Sequence, residues 1–337
     1  MAFNLRELPR TVVSSDMAGK SVLIYGASRT GKTSQACKFP KPLVLAFENG
    51  LRSIPGVAYV PMAKWSDFVS ILKELSNPSN QDYVRENFET IVLDELSVAC
   101  EMCSEYVCQT NGAESISKGN NGYGLWQELD SAFSKQIRIL MNLPLTIIII
   151  AHEGTRDFQN DKGETISKIY PAGAKRLVPM AVQLCDIIAY LEPQGLDENG
   201  NEIPSSAIMV QTKDVYAGSR FSHLAPGLKE FSAKNLTEAI REAVKLEEES
   251  SGVKSVSYEE QKARSTKREM TFDELRDEIG TIVSKLMEAG RGDEYTNILN
   301  TYFGRKDFKI QAIKKDEEAE TRQAVECVLA ELKNLNI

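Results

Sequence analysis

The sequence predicts an α/β fold: a mostly parallel, twisted sheet with helices on both faces, followed by a small all-helical module. Three observations predict it. Apolar runs alternate with helical spacings from residue 20 to about residue 245. The runs are almost continuously apolar, as strands covered on both faces must be. Near residue 246 the composition turns charged, and from residue 271 only helical spacings follow. The expected units are therefore 1–245, a charged stretch at 246–270 that is a linker or a solvated helix extension, and a helical module at 271–337.

The elements follow in order. "SVLIYG" (21–26) reads as a strand, and "KTSQACKF" opens a helix. "PLVLAFE" (42–48) is a second strand. Trp65, Phe68, Val69, Leu72 and Leu75 recur at helical spacing. "FETIVLDE" (88–95) is a third strand, followed by a helix from Leu96 to about Cys108. Residues 109–124 are rich in Gly, Asn and Ser and are expected to form a mobile loop. A helix at 125–143 precedes a fourth strand, "LTIIIIAH" (145–152). A polar loop is expected at 153–172. "AVQLCDIIAYLEP" contains a fifth strand, and a "DENGNE" turn leads to a sixth at 207–213. Thr271 with Glu274 forms a capping box that opens the helical module.

The longest apolar run, Leu145 to Ala151, is too short to span a bilayer. The first residues lack the apolar core of a signal peptide, so a cytoplasmic protein is expected, with its six cysteines reduced. Cys100 and Cys103 have a metal-like spacing, but no second pair completes four ligands. They read as small buried thiols one helical turn apart. The net charge of −8 counts against a surface coated in basic patches.

Residues 26–33 match G-x-x-x-x-G-K-[ST] in full, a pattern that arises by chance in about one chain of this length in a hundred. Here it also follows an apolar strand and opens a helix. Gly26, Ala27, Ser28, Arg29, Thr30, Gly31, Lys32, Thr33 and Ser34 form the expected phosphate cradle. Glycines let the backbone amides turn inward to phosphate oxygens. Lys32 is long enough to reach the β- and γ-phosphates of ATP, and the Thr33 hydroxyl suits Mg2+. Asp94, at the end of an apolar strand, is the expected carboxylate partner of the metal, and it equally suits a helix cap. Glu95 and Glu48 compete for the role of water-orienting base. His152 ends the fourth strand and is expected to point into the same crevice, because parallel strands deliver their carboxyl ends to one edge.

This arrangement resembles the RecA-like P-loop ATPase core. That resemblance covers about residues 20–235. It implies a catalytic glutamate at the end of the second strand, here Glu48, although Ala46 stands where the family often has an acidic residue. It implies single-stranded DNA held by two loops, at about 109–124 and 153–174. Within the family the chain is most similar to the compact Sak-type annealing ATPases of bacteriophages. "QTKDVYAGSR" resembles the Lys-Asn-Arg-Phe-Gly element of RadA-type relatives. There a lysine reaches the neighbouring subunit's nucleotide, which maps onto Lys213. Asp214 and Val215 depart from the pattern, and Arg220 is the other candidate.

A single-strand site needs cations and aromatic platforms along one track. Lys118 and Tyr123, beside Trp126, are the candidates on the first loop. Arg156, Lys162, Lys168, Lys175 and Arg176 are those on the second, with Phe158 and Tyr170. Four acids (Glu153, Asp157, Asp161 and Glu164) share that second segment, so by composition it is an ordinary solvated loop. The resemblance implies an ATP- and Mg2+-dependent phage protein of the bacterial cytoplasm that acts on single-stranded DNA in annealing or recombination. It implies a homo-oligomer, ring or filament. The helical tail is a candidate contact for phage replication or recombination proteins. A helicase or helicase loader, and a nucleotide-regulated scaffold, are the alternatives.

Overall fold

The computed structural model describes residues 10–159, 162–265, 270–304, 309–314 and 318–335. Asp161 lies outside the described residues. Among them the order is β1 (Ser21–Gly26), α1 (Lys32–Ala36), β2 (Pro42–Ala46), β3 (Ala58–Pro61), α2 (Trp65–Ser76), α3 (Gln81–Asn87), β4 (Thr90–Asp94), α4 (Leu96–Thr110), α5 (Trp126–Met141), β5 (Thr146–Gln159), β6 (Thr165–Pro171), α6 (Val178–Leu184), β7 (Ile187–Glu192), β8 (Ser206–Ile208), β9 (Gly218–Ser219), β10 (Gly227–Leu228), α7 (Ala233–Ser251), α8 (Tyr258–Ser265), α9 (Phe272–Glu288), α10 (Gly292–Phe303) and α11 (Glu318–Asn334). No helix among the described residues is long and apolar enough to cross a membrane.

The described residues divide into two compact units, one spanning Val12–Tyr258 and one holding the described residues from Glu259 onward. In the first unit the strands run in the order β10-β8-β7-β1-β5-β4-β2-β3, with β6 added to β5 and β9 to β7. The strand of the phosphate motif, β1, lies between β5 and β7, parallel to both. Ser21 pairs with Ile147 and Gly26 with His152. The carboxyl ends of β1, β2, β4 and β5 therefore share one edge. Antiparallel pairs lie outside this parallel core, at β7–β8 and β8–β10.

Strand alternation divides the core. Leu23 and Tyr25 of β1 face a cluster with Trp65 and Phe68 of α2, Cys100 and Cys103 of α4, and Phe133 of α5. Val22 and Ile24 face the opposite cluster, with Ala36 of α1 and Leu236 and Ile240 of α7. Trp65 stacks on Phe133 at 5.9 Å and 18°. Each such side chain contributes about 1.5–3 kcal/mol by leaving water. Burial also pushes the Cys103 thiol up to about 12, so it stays protonated in the core.

Three features differ from the expectation. The polar loop expected at 153–172 is a β-hairpin. β5 continues seven residues past His152, and β6 returns antiparallel with Arg156 opposite Lys168 and Phe158 opposite Ile166. The cause is period-two alternation of β-formers on both arms around Gly163, masked in the sequence by interleaved charges. The sixth strand, expected at 207–213, is only β8. The chain then leaves the sheet and pairs Val215 with Ile169 of the hairpin. The stretch 246–258 extends α7 to Ser251, one of the two readings, but it then packs on the start of the unit instead of standing free: Val256 pairs with Ser14, and the Tyr258 amide donates to Asp16 Oδ2 at 2.7 Å. The edge strand β3 and the short α3 carried no clear sequence signal.

The second unit has its own core of Leu275, Ile279 and Leu286 on α9, Leu299 on α10, and Val325 and Leu329 on α11. Thr271 and Glu274 form a reciprocal capping box at the start of α9. Tyr302 Oη donates to Glu331 Oε1 at 2.6 Å, joining α10 to α11.

Candidate functional site

The phosphate motif forms the turn from β1 into α1. Gly26 has φ of 156° and lies against β7, where a Cβ would meet the Leu191 carbonyl oxygen at 2.5 Å. Gly31 has φ of 78° and precedes the first residue of α1. Thr30 Oγ1 donates to the Ala27 carbonyl at 3.0 Å and braces the loop from inside. Ser28, Arg29 and Ser34 are exposed on its outer side.

Lys32 is buried, and its ammonium donates to the Gly26 and Ala27 carbonyls at 3.0 and 2.6 Å. Burial lowers its pKa, and the negative field of Asp94, Glu153, Glu95 and Glu48 opposes that shift. One lysine thus faces four carboxylates. Thr33 Oγ1 donates to Asp94 Oδ2 at 3.0 Å, closing the contact between the motif and the end of β4. Burial raises the Asp94 pKa to about 6, with smaller contributions from Glu48 and Glu95. A hydroxyl and a carboxylate in a negative field are hard oxygen donors of the kind Mg2+ takes. The residues fit the ion on a second count as well. Gly50 stands beside them, and a Cβ there would lie 3.3 Å from Asp94 Oδ2.

The two glutamates separate clearly. Glu95 is buried and caps α4: its Oε1 accepts from the Val98 amide at 3.1 Å and from the Ser97 hydroxyl, while Oε2 is buried without a partner. Glu48 is half-exposed in the crevice, and its Oε2 lies 3.8 Å from His152 Nε2. Its position is set by β4, because the Phe47 and Glu48 amides both donate to the Asp94 carbonyl, at 2.6 and 3.2 Å. Lys32, Thr33, Asp94, Glu48 and His152 are thus brought to one edge of the sheet.

Lys213 and Arg220 are not brought there within their own chain. Lys213 is exposed in a turn tied to the hairpin, where the Thr212 carbonyl accepts Lys168 Nζ at 2.8 Å. Arg220 pairs with Asp186 at 3.5 Å and donates to the Gln183 carbonyl at 2.6 Å. Asp186 also holds Ser21, the first residue of β1, so Arg220 sits at the end of the sheet away from the phosphate loop.

The candidate DNA contacts are dispersed. Lys118 pairs with Glu114 on an exposed turn, and Tyr123 is 85% exposed nearby. Arg176 forms a two-pronged pair with Asp130, at 2.6 and 2.5 Å, over the Trp126 ring. Lys175 is exposed, and Lys162 lies at the hairpin turn. Arg156 stacks over Phe158 and Tyr170 at 5.8 and 5.1 Å, beside Tyr216. Arg156 therefore meets these rings on the hairpin face that packs toward the core, with Tyr170 buried there.

The sequence reading missed three residues. Glu153 accepts from Tyr190 Oη at 3.0 Å and contributes to the field on Lys32. Ser205 Oγ donates to the Thr30 carbonyl at 3.1 Å, tying the β7–β8 connection to the phosphate loop across 175 residues, a contact no local pattern signals. Gly50 is the third, and its adjacency to Glu48 was the available hint.

The phosphate turn, the Thr33–Asp94 contact and the parallel strands around β1 form a P-loop core. The AAA domain family matches residues 18–221, most of the first unit. The chain belongs to that family. The AAA domain thus begins just before β1 and ends just after β9. The SPbeta prophage-derived uncharacterized protein YorG of Bacillus subtilis (strain 168) is 37% identical over 305 residues, 90% of this chain and 91% of YorG. The likeness therefore runs beyond the AAA domain into the helical unit. Among solved structures, the ATPase domain of G40P aligns with 62% of this chain and 87% of its own, at 13% identity and a TM-score of 0.33.

Proposed function

We propose that this AAA domain protein is an ATP-hydrolysing phage protein that binds single-stranded DNA and promotes annealing or homologous recombination as a homo-oligomer. The observation that carries the nucleotide part is the convergence of Lys32, Thr33, Asp94 and Glu48 at one sheet edge. Lys32 exchanges its carbonyl partners for β/γ-phosphate oxygens. Thr33 and Asp94 are the residues that would hold Mg2+, which when bound neutralises phosphate charge. Glu48, open to the crevice, orients the attacking water, and Glu95 secures α4 behind it. His152 links Glu48 to the hairpin. The phage assignment is supported by the prophage origin of YorG.

The DNA part is supported by Arg156 beside Phe158 on the hairpin. A second reading is favoured by a specific observation: Arg176, Lys118 and Lys168 already have partners within the chain. A nucleotide-regulated scaffold with little turnover, or a helicase-loading ATPase, would leave them so. Phosphate release from ATP, with and without single-stranded DNA over a salt series, separates these readings. Stimulation that fades with salt is expected, because phosphate contacts release counterions. Turnover indifferent to DNA rejects the DNA part. Tight ATP binding without phosphate release favours the scaffold.

A further inference from the structure

Gly50 occupies a position where its backbone does not require glycine. It is absent from the glycines with positive φ, and it opens a short 3-10 turn in an ordinary conformation. A Cβ built there would find two atoms within 4 Å: Asp94 Oδ2 at 3.3 Å and Thr33 Oγ1 at 3.9 Å. These are the two donors assigned to the metal. Gly50 is also exposed, so the space beside the donors opens to solvent. The turn cannot easily retreat, because the Phe47 and Glu48 amides clamp it to the Asp94 carbonyl.

We propose that Gly50 is a positioning residue whose missing side chain keeps room for hydrated Mg2+ beside Thr33 and Asp94. The inference rests on the ATPase reading above. Mg2+ demands near-octahedral geometry and keeps several of its waters, so its site must be roomy as well as acidic. Thr33 and Asp94 supply the oxygens, and the Glu48–Gly50 turn forms the wall that leaves volume for the waters. A Cβ at 3.3 Å from the carboxylate oxygen occupies that volume, and a branched side chain fills it.

The test is the affinity of the full chain for a fluorescent ADP analogue, in excess Mg2+ and in excess EDTA. The wild type is expected to bind more tightly with Mg2+. Gly50→Val is expected to raise the Mg2+ concentration needed for half of that gain by about 10–100-fold, the range found when groups around a metal site are disturbed. Gly50→Ala should lie between the two. In EDTA both variants should bind as the wild type does, because the phosphate loop is unaltered. A Gly50→Val protein that keeps the full Mg2+ gain overturns the inference, and so does an equal loss in EDTA and Mg2+. A wild type that binds no nucleotide sinks the ATPase reading itself. If Gly50→Val melts early, Gly50→Ala carries the same test.

Discussion

At the scale of single residues, Lys32, Glu48 and Asp94 do different work and should fail differently. Lys32→Ala removes an ammonium that lies in the field of four carboxylates. It is expected to lower ATP turnover by roughly 10²–10³-fold, as loss of one preorganised charge-stabilising donor does, and melting temperature should stay close to the wild type. Glu48→Gln is expected to lower turnover by about 10²–10⁴-fold while ATP binding persists. Glu95→Gln should chiefly cost stability, since that carboxylate caps α4. Equal turnover losses with equal melting temperatures would refute this division. Asp94 makes a pH prediction. Its pKa is raised in the folded chain to about 6 from 3.8, so the folded state binds the extra proton between those values. Its contribution is therefore fully present below about pH 4 and lost as pH rises through 6. Asp94→Asn should stabilise the nucleotide-free protein at pH 7 by up to about 3 kcal/mol and have little effect near pH 4. Urea melts at the two pH values check this. The motif residues were legible because a phosphate loop is a local pattern. The separation of Glu48 from Glu95 was not, because it depends on which carboxylate turns back to cap a helix.

At the scale of elements, the proposed DNA contact falls on the hairpin. Arg156→Ala removes a guanidinium held over two rings. It is expected to weaken single-stranded DNA binding for all sequences and to reduce the salt slope by about 1. Arg176→Ala should change neither, because Asp130 already pairs with that side chain. Filter binding across a salt series distinguishes the two, and the opposite ranking would move the DNA track from the hairpin to the α5–α6 face. The strands of the parallel core were readable because burial on both faces demands unbroken apolar runs. The hairpin escaped notice because Asp157 stands on its exposed face while Arg156 and Lys168 stand on its covered face, so charges interrupt the pattern on both. The edge strand β3 was hidden for a related reason: Ala58 and Tyr59 are exposed, and burial left no mark on them.

At the scale of the whole molecule, two separate cores predict separable behaviour. A chain ended after Tyr258 keeps the Val256 and Tyr258 contacts with residues 14–19 and should bind nucleotide as the full chain does. A chain ended after Lys245 loses them together with residues 246–251 of α7. A loss of about 2 kcal/mol there would lower Tm by roughly 4–8 °C. Calorimetry on the two truncations tests the boundary, and identical melting would deny that 246–258 belongs to the first unit. Strand order was not readable from the chain, since no local pattern says that β5 inserts between β1 and β4. That insertion has a mechanical meaning. β5 is one uninterrupted strand, seated beside the phosphate strand at one end and extending beyond His152 by roughly 23 Å at the other. Braced by β6 and held to the body where Ile169 pairs with Val215, the strand would carry a load on the hairpin to the crevice, and a rearrangement in the crevice back to the hairpin.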